Sequence, residues 1–355
     1  MKYSIIVPVF NRPDEVDELL QSLTTQTFKD FEVIIVEDGS SKPCKDVCNR
    51  YADVLTLHYY DKDNSGPGQS RNYGAERANG EWLIILDSDV VLPETYLFHI
   101  NEELKVKSEE LGVSAFGGPD TAHPDFTPIQ KAISYSMTSF FTTGGIRGGK
   151  KKNNGKALDK FYPRSFNMGI RRDVYLQLGG FSKMRFGEDI DFSYRIVEAG
   201  YNPQLIPEAW VWHKRRTDFR KFWRQVYNSG IARINLEKRH PGTLKLVHLL
   251  PTVFTLGVVF CCLAALVCFM LATFSSNSFT LGMVGIGVLA PIILYSLLIC
   301  IDSTIQNKNL KVGLLSVPAA FVQLMGYGFG FIESWWKRCV LKKDEFQAFE
   351  KNFYK

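Results

Sequence analysis

Acidic side chains that directly follow short apolar runs are the residues of this sequence best suited to chemistry. Asp87 and Asp89 follow Glu81–Leu86 (EWLIIL), and Glu37 and Asp38 end a similar run. Side chains two apart in an extended segment point the same way, so Asp87 and Asp89 can converge on one ion. Carboxylate oxygens suit Mg²⁺ or Mn²⁺. The Asp-Ser-Asp spacing therefore predicts a divalent-cation site, with a loop or helix cap as the alternative.

A second acidic group, Glu188, Asp189 and Asp191, opens an apparent helix that runs to Gly200. Carboxylates in a first helical turn are stabilised by the helix dipole, which would by itself account for them. Asp191 could also form an ordinary ion pair with Arg195, four residues on. Catalysis is the other interpretation, because an ionised carboxylate can accept a proton at neutral pH.

One histidine ends a short apolar run in the same way as the acidic residues. His213 closes Ala209–His213 (AWVWH), which predicts a strand. A lone histidine is usually structural or solvated, but this position also allows it to be a ligand of the same metal ion. Cys44 and Cys48 have a spacing that could bind metal, yet no second pair completes a site, so we expect ordinary reduced thiols.

The elements that must position these residues alternate between apolar strands and amphipathic helices. Such alternation predicts an α/β domain with a mainly parallel sheet covered on both faces. In these sheets a ligand binds beyond the carboxyl ends of the strands, where the acidic residues fall. The expected elements are strands at Ser4–Val9, Phe31–Val36, Leu55–Tyr60 and Glu81–Leu86, and helices at Asp14–Gln26 and Ser70–Ala78.

The C-terminal third of the chain is apolar enough to cross a membrane. Leu249–Ile301 is a run of 53 residues without Asp, Glu, Lys, Arg or His, and Val312–Ile332 is another of 21. A span needs about 20 apolar residues, so the first run is long enough for two crossings and the second for one. The first residues, MKYSIIVPVFNRPD, lack the features of a signal peptide. We therefore expect a multi-pass protein of a bacterial inner membrane with a cytoplasmic N-terminal domain.

A basic segment rich in aromatic residues precedes the first apolar run. Between Trp210 and His240 there are nine Lys and Arg residues against Asp218 and Glu237. This composition beside a span predicts an interfacial helix on anionic lipid head groups, with a solvated basic face as the alternative. Nucleic acid is not an expected partner, because no recognition motif accompanies the charge. The whole chain, with 45% hydrophobic residues and 42 Lys+Arg against 37 Asp+Glu, is also too evenly charged for a nucleic-acid-coating or disordered protein.

Five segments in succession resemble the motifs of glycosyltransferase family 2. They cover Met1 to about Arg224 and read SIIVPVFNRPD, VIIVEDGSS, GQSRNYGAERANGEWLIILDSD, NMGIRRDVYLQLGGF and GEDIDFSYRIVEAGY. The resemblance implies a GT-A fold, a nucleotide-diphospho-sugar donor, a divalent cation and inversion at the anomeric carbon. The continuation WHKRRTDFRKFWRQ and the apolar runs are similar to membrane-attached members that extend lipid-linked saccharides in exopolysaccharide assembly.

The same resemblance implies roles for particular residues. Asp189 would be the general base, Glu188 would bind the acceptor or orient the base, and Asp87 and Asp89 would hold the ribose side of the donor and the metal. The nucleotide-sugar would further contact Pro8, Phe10, Asn11, Asp38 and Arg71, and the acceptor or membrane would contact Asp191, Trp223, Arg224 and Gln225.

Two positions depart from the family pattern. Glu37-Asp38 stands where the family usually has Asp-Asp. The Gln-x-x-Arg-Trp signature of processive synthases is absent, and 222–225 (FWRQ) is near its place, which weakens an interpretation as a polymerising enzyme.

The chain divides by composition into four expected segments. They are a GT-A catalytic domain at 1–213, a basic interfacial segment at 214–248, a membrane domain at 249–335 with spans near 249–274, 281–301 and 312–332, and a basic tail at 336–355. Three full crossings would place the six Lys and Arg residues of the tail outside, against the positive-inside tendency. Pro318 and Gly326–Gly330 could instead break the third segment into a re-entrant or interfacial element, and the sequence leaves both topologies open.

The leading functional interpretation is a metal-dependent, inverting glycosyltransferase that acts on a hydroxyl of a lipid-linked saccharide. Transfer to a polyprenyl phosphate is the nearest alternative, and its acceptor oxygen needs little or no base. A nucleotidyltransferase and a non-catalytic membrane scaffold are further alternatives. The Lys- and Gly-rich stretch Ile146–Lys156 is expected to be a mobile loop that closes over the diphosphate or touches lipid phosphate, or is merely solvated.

Overall fold

The computed structural model of the 355-residue chain describes residues 1–123, 125–144, 161–274 and 276–345, without the side chains of 107–111. The described residues form two compact units, and each is described by itself. The first consists of 1–123 and 161–214, and the second consists of 125–144 and 215–344. The predicted loop at Ile146–Lys156 and the tail beyond Glu345 lie outside the described residues.

The described residues contain ten strands, all in the first unit, which form two sheets. They are β1 (Tyr3–Val9), β2 (Phe31–Asp38), β3 (Leu57–Lys62), β4 (Trp82–Leu86), β5 (Val90–Val91), β6 (Ala115–Gly117), β7 (Asp120–Thr121), β8 (Asn167–Arg171), β9 (Gln204–Leu205) and β10 (Val211–His213). The main sheet has the order β3-β2-β1-β4-β8-β6-β9, and the small sheet has the order β5-β10-β7. β1 to β4 are parallel where they pair, whereas β8 is antiparallel to both of its neighbours. The sheet is therefore mixed, and the predicted α/β class is confirmed.

Helices connect these strands and form the second unit. The first unit contains α1 (Pro13–Thr24), α2 (Lys45–Asn49), α3 (Pro67–Glu76), α4 (Tyr96–Leu111), α7 (Arg172–Gln177) and α8 (Glu188–Glu198). The second unit contains α5 (Pro128–Thr138), α6 (Phe140–Thr143), α9 (Phe219–Arg239), α10 (Leu250–Phe274), α11 (Ser278–Asn307) and α12 (Leu310–Trp335). The strands and helices expected in the first unit are present, with ends displaced by up to three residues, whereas α11 extends six residues beyond the expected end of its span.

Burial on both faces explains why the central strands are almost continuously apolar. Alternate side chains of a strand face opposite sides, so Ile5 and Val7 of β1 enter one core with the leucines of α1. Ile6 enters the other core, together with Ala75 of α3 and Phe192 of α8. A strand in a sheet that is covered by helices on both faces must be apolar along most of its length. The polar residues therefore lie at the strand ends.

The second unit gathers helices from two distant parts of the chain. Ala132 of α5 packs with Val312 and Ala319 of α12, although about 180 residues separate them. The domain prediction placed 125–144 within a contiguous catalytic segment at 1–213. In the structure, 125–144 packs with the C-terminal helices. Three helical stretches, 246–274, 278–307 and 310–340, are long and apolar enough to cross a membrane. The break considered at Pro318 is absent, because α12 is continuous from Leu310 to Trp335.

Candidate active site

Two carboxylates and one imidazole converge at the carboxyl end of β4. Single ligand atoms of Asp87, Asp89 and His213 all lie within 4.8 Å of one another. The small sheet creates this cluster, because His213 of β10 is in register with Val90 of β5, the residue after Asp89. His213 also stacks on the ring of Phe166, with centroids 4.9 Å apart. The Asp-Ser-Asp motif and the histidine predicted from strand ends are thus brought together.

An arginine neutralises the buried member of this cluster. Arg12 Nη1 lies 2.5 Å from Asp89 Oδ2, while His213 Nε2 lies 3.3 Å from Asp89 Oδ1. Burial acts to lower the pKa of Arg12, but attraction to Asp89 outweighs it and the net shift of the pKa is upward. The other ring nitrogen of His213 is 3.7 Å from Asp120 of β7. Asp89 therefore already has a cation, the Arg12 guanidinium, beside it.

A buried arginine joins the cluster to the first turn of α8. Arg71 of α3 is 3% exposed, and its guanidinium donates to Asp87 Oδ1 at 2.7 Å and to Glu188 Oε1 at 3.1 Å. Its carbon Cζ lies 5.1 Å from the centroid of the Phe181 ring. Burial opposes its charge, but Asp87 and Glu188 raise the pKa of Arg71, so it remains a cation. Residues more than a hundred positions apart thereby form one ionic chain.

The two acidic residues that open α8 have opposite electrostatic environments. Burial and the neighbouring Asp189 raise the pKa of Glu188 to about 7, although Arg71 counteracts part of this increase. Burial also opposes ionisation of Asp189, but Arg164, whose Nε lies 2.7 Å from Asp189 Oδ2, lowers the pKa of that carboxyl. At neutral pH Asp189 is therefore ionised, and Glu188 is close to its midpoint.

The residues expected to line a nucleotide site hold loops beside the strand ends. Asn11 adopts a left-handed φ of 55°, and its Oδ1 accepts from the backbone N–H of Lys42 at 2.8 Å. Asp38 accepts from Lys62 Nζ at 2.6 Å and from the backbone N–H groups of Ser65 and Gly66, each at 2.8 Å. Both carboxylate oxygens of Asp38 are thus engaged within the protein, and base recognition by this residue stays a prediction.

The unusual Glu37 has a structural explanation. Its carboxylate is buried and accepts from the Ser40 hydroxyl and, at 2.7 Å, from the backbone N–H of Cys44. The longer side chain therefore fastens the loop after β2. Cys44 and Cys48 are buried with their sulfurs 3.9 Å apart. Pro8 lies in β1, and the partly buried Phe10 directly follows that strand.

Other site residues predicted from sequence have different surroundings. Asp191 is buried and accepts from Arg195 Nε at 3.1 Å, so the ion-pair alternative for Asp191 is present. The same arginine donates to the carbonyls of Leu178 and Gly180, at 2.8 and 2.6 Å, which anchors the turn after α7. Trp223, Arg224 and Gln225 lie on α9 in the second unit, where Trp223 is exposed and its ring lies 6.1 Å from that of Phe329.

Three participants were not assigned a role from the sequence. Arg12 appeared only within the quoted motif SIIVPVFNRPD, and Arg164 and Asp120 were not singled out. Arg164 lies three residues before β8, which was not among the predicted strands, so no local signal marked it. Asp120 carries no local signal, because only the pairing of β7 with β10 places it near His213.

The cluster has a donor set that fits a divalent transition-metal ion. Carboxylates suit Mg²⁺ and Mn²⁺ alike, whereas an imidazole nitrogen is a better ligand for transition metals such as Mn²⁺ than for Mg²⁺. Asp87, Asp89 and His213 would therefore hold such an ion, with Arg12 released from or sharing Asp89. Such an ion would lie next to the Asp87–Arg71–Glu188 chain.

Fold and site together define an α/β enzyme domain of the GT-A type. Residues 4–179 match the family model described as "Glycosyl transferase family 2", and the chain belongs to that family through this domain. A mannosyltransferase, PcManGT from Pyrobaculum calidifontis, in complex with GDP-Man and Mn²⁺, has a similar structure with a TM-score of 0.55. The match covers 95% of this chain and 88% of that chain at 15% identity, and it shows the fold.

Sequence relatives support the same family. An uncharacterized glycosyltransferase of Haemophilus influenzae is 32% identical over 211 residues, which are 58% of this chain and 65% of that protein. The poly(ribitol-phosphate) beta-N-acetylglucosaminyltransferase TarS of Staphylococcus aureus is 30% identical over 154 residues, 39% of this chain and 26% of TarS. The chain thus spans less than two thirds of the length of these relatives.

Proposed function

We propose that this chain is a membrane-attached, metal-dependent glycosyltransferase that moves a sugar from a nucleotide-diphospho-sugar to a hydroxyl of a lipid-linked saccharide, with inversion. The observation that carries the proposal is the ionic chain from Asp89 and Asp87 through Arg71 to Glu188, next to Asp189. The names of TarS and PcManGT, and the GDP-Man and Mn²⁺ bound to PcManGT, support a sugar donor and a divalent ion.

The donor end of the site is built to stabilise a leaving diphosphate. Asp87, Asp89 and His213 would hold a divalent cation, which supplies positive charge to offset the charge that develops on the diphosphate. Arg12 and Arg71 add two guanidinium groups at the same place. Preorganised charge of this kind is effective because it does not have to reorient during the reaction.

The acceptor end is built to remove a proton. In a single displacement the acceptor oxygen attacks the anomeric carbon as the bond from that carbon to the diphosphate oxygen breaks, and the hydroxyl proton passes to Asp189. Asp189 is ionised at neutral pH because Arg164 lowers its pKa. Arg164 also fixes the carboxylate in one orientation, which favours proton transfer at a defined oxygen.

A polyprenyl-phosphate acceptor is the second candidate. The ion pair with Arg164 makes Asp189 a weaker base, which is compatible with an acceptor that is already ionised. In that case Asp189 would only orient Arg164, and its charge would matter little for turnover.

The discriminating experiment is Asp189→Asn, assayed with purified full-length protein, a panel of nucleotide-sugars and both acceptor classes. A hydroxyl acceptor requires the base, so we expect turnover to fall by about 10²–10⁴-fold. Asp173→Asn is the matched control, because Asp173 also pairs with an arginine, Arg171, but is exposed on α7. Near-normal turnover of Asp189→Asn would refute the hydroxyl mechanism, and release of pyrophosphate instead of a nucleoside diphosphate would indicate a nucleotidyltransferase.

The proposed site of action is the cytoplasmic face of a bacterial inner membrane. The nine Lys and Arg residues of 210–240 favour contact with anionic lipid, where a lipid-linked acceptor would be presented. Three helical stretches long and apolar enough to cross a membrane support the attachment.

A further inference from the structure

Helices α10 and α11 form an antiparallel hairpin. A Cβ added at Gly285 of α11 would lie 2.9 Å from the ring of Phe269 of α10. Nearer the other end, the rings of Phe254 and Tyr295 are 5.2 Å apart. The start of α10 and the end of α11 therefore lie at one end of the hairpin, which we call its base. The turn at 276–277 lies at the opposite end.

Helix α12 crosses the base of this hairpin. Ser316 Oγ hydrogen-bonds to Ser303 Oγ of α11 at 2.7 Å, near the end of that helix. Twelve residues later, a Cβ at Gly328 would lie 2.8 Å from the carbonyl oxygen of Pro251, at the start of α10. Twelve residues of helix are about 18 Å long. Because both partners lie at the base, α12 advances little along the hairpin and runs mainly across it.

The middle of α12 confirms this direction. The ring of Phe321 lies 5.6 Å from Phe254 of α10 and 5.9 Å from Tyr295 of α11. Thr255 Oγ1 then donates to the carbonyl of Leu324 at 3.4 Å. Along α12 the contacts thus pass from α11 to both helices and then to α10, which is the order expected for a crossing helix.

A polar helix accompanies α12 along its length. Ser334 Oγ donates to the carbonyl of Ile231 at 3.1 Å, and Arg338 Nε donates to Asn235 Oδ1 at 3.0 Å. Tyr227 also hydrogen-bonds to Glu333. The two helices are parallel, because partners stay about a hundred residues apart in sequence. At Gly230 the approach is so close that a Cβ would lie 2.2 Å from the carbonyl oxygen of Tyr327.

This companion is unsuited to a hydrocarbon environment. α9 carries Asn228, Ser229 and Arg233 in its middle and exposed Arg220 and Lys238 near its ends. Placing a cation at the centre of a bilayer is energetically unfavourable. If α12 crossed the membrane, α9 would have to accompany it.

The three apolar helices also differ in how much of each is buried within the protein. In the most apolar stretches of α10 and α11 only 11% of residues are buried within the protein, and their mean hydropathies are 2.7 and 2.5. In α12 the buried share is 44% and the mean hydropathy is 1.5. The first two helices therefore leave most of their surface uncovered by protein, whereas nearly half of the apolar stretch of α12 is covered by other helices.

We propose that only α10 and α11 cross the membrane, and that α5, α9 and α12 form a layer in the anionic head-group region at the base of the hairpin. Tyr135 of α5 supports the layer by donating to Asp302 at 2.6 Å, at the end of α11. Exposed Trp335 and Trp336, followed by Lys337, are the aromatic and basic residues that favour such an interface. Residues preceding α9 and residues following α12 then lie on the same side. This topology does not depend on the proposed reaction.

Cysteine labelling in cells tests the proposal in the full-length chain. Three variants each carry a single cysteine, and all other cysteines are changed to Ala. The single cysteine is introduced by Val54→Cys in the first unit or by Ser276→Cys in the hairpin turn, or it is the native Cys339, which is exposed after α12. A membrane-impermeant maleimide is applied to intact and to permeabilised spheroplasts, and labelling is compared with that of denatured protein. We expect Cys339 and Val54→Cys to share one pattern of labelling in intact and permeabilised spheroplasts, and Ser276→Cys to show the other pattern.

Three crossings predict the reverse grouping, with Cys339 labelled together with Ser276→Cys, and that result would overturn the proposal. If the cysteine substitutions prevent folding, fusions of green fluorescent protein and of alkaline phosphatase after Lys355 of the unaltered sequence report the same side. Phosphatase activity without fluorescence would place the tail outside and would likewise overturn it.

Discussion

Individual side chains in the site are arranged as acid–arginine pairs. Arg12 contacts Asp89, Arg71 contacts Asp87 and Glu188, and Arg164 contacts Asp189. Carboxylates this close together repel one another unless cations intervene. The three arginines therefore allow an acidic site to fold before any metal binds. They also determine which carboxylates are already engaged in ion pairs within the protein.

His213 gives the first residue-scale prediction. In His213→Ala the cluster keeps its two carboxylates but loses its nitrogen donor, so we expect Mn²⁺ affinity to fall about tenfold or more, and Mg²⁺ affinity to change less. Calorimetric titration of the purified protein with each metal, without sugar donor, measures both values. His58→Ala is the control, because His58 also lies beside a carboxylate, Glu32 at 3.3 Å, on another part of the domain. Equal losses for both metals would contradict a nitrogen ligand.

Glu188 gives a prediction about pH. Its pKa is raised to about 7, so its charge and its attraction to Arg71 are lost as the pH falls through that value. We expect kcat/KM to rise with pH through about 7, and Glu188→Gln to lack this dependence. The pH profiles of both proteins, measured with saturating metal, provide the test. An unchanged profile in Glu188→Gln would assign the transition to another group.

At the scale of elements, the small sheet decides the composition of the site. β10 was predicted as a strand, but its partners could not be read from three residues. Its antiparallel pairing with β5 and parallel pairing with β7 place His213 between Asp89 and Asp120. These partners are about 90 to 120 residues away in sequence, a separation at which local patterns carry no pairing information.

The packing of α9 on α12 gives an element-scale prediction. A side chain at Gly230 would collide with the backbone of Tyr327, so Gly230→Val should lower the free energy of unfolding by about 1–3 kcal/mol. Gly257→Val is the matched control, because that helical glycine in α10 has no neighbour within 4 Å of an added Cβ. Thermal unfolding in detergent compares the two variants. Equal midpoints would show that the helices are not closely packed at Gly230.

The whole molecule combines an α/β domain with helices that prefer lipid. Extended apolar surface on 246–274 and 278–307 cannot be left in water without a large free-energy cost. We therefore expect the full-length protein to stay in the membrane pellet after washing at alkaline pH with carbonate, and to be released by detergent. A peripheral protein held only by its basic residues would be removed by the wash, and finding this chain in the supernatant would contradict membrane insertion.

The sequence by itself determined the local features of this protein. The first four strands, β10, several of the helices, the α/β class, the acidic strand ends and the apolar helices were predicted, because burial imposes a periodicity that neighbouring residues record. Motif order also determined the family, which the match to residues 4–179 confirms. Even Glu37 and the Asp-Ser-Asp motif were visible as acidic positions, although their partners were not.

Only the tertiary structure decided which distant residues meet. It paired Asp189 with Arg164 and Asp87 with Arg71, placed α5 with the C-terminal helices, and laid α12 across the base of a hairpin. The physical reason is that ion pairs and helix crossings depend on the relative positions of elements in space. The length of its apolar run shows that α12 must be shielded from water. Lipid and a neighbouring helix provide that shielding equally well, so the direction of α12 is defined only by its contacts.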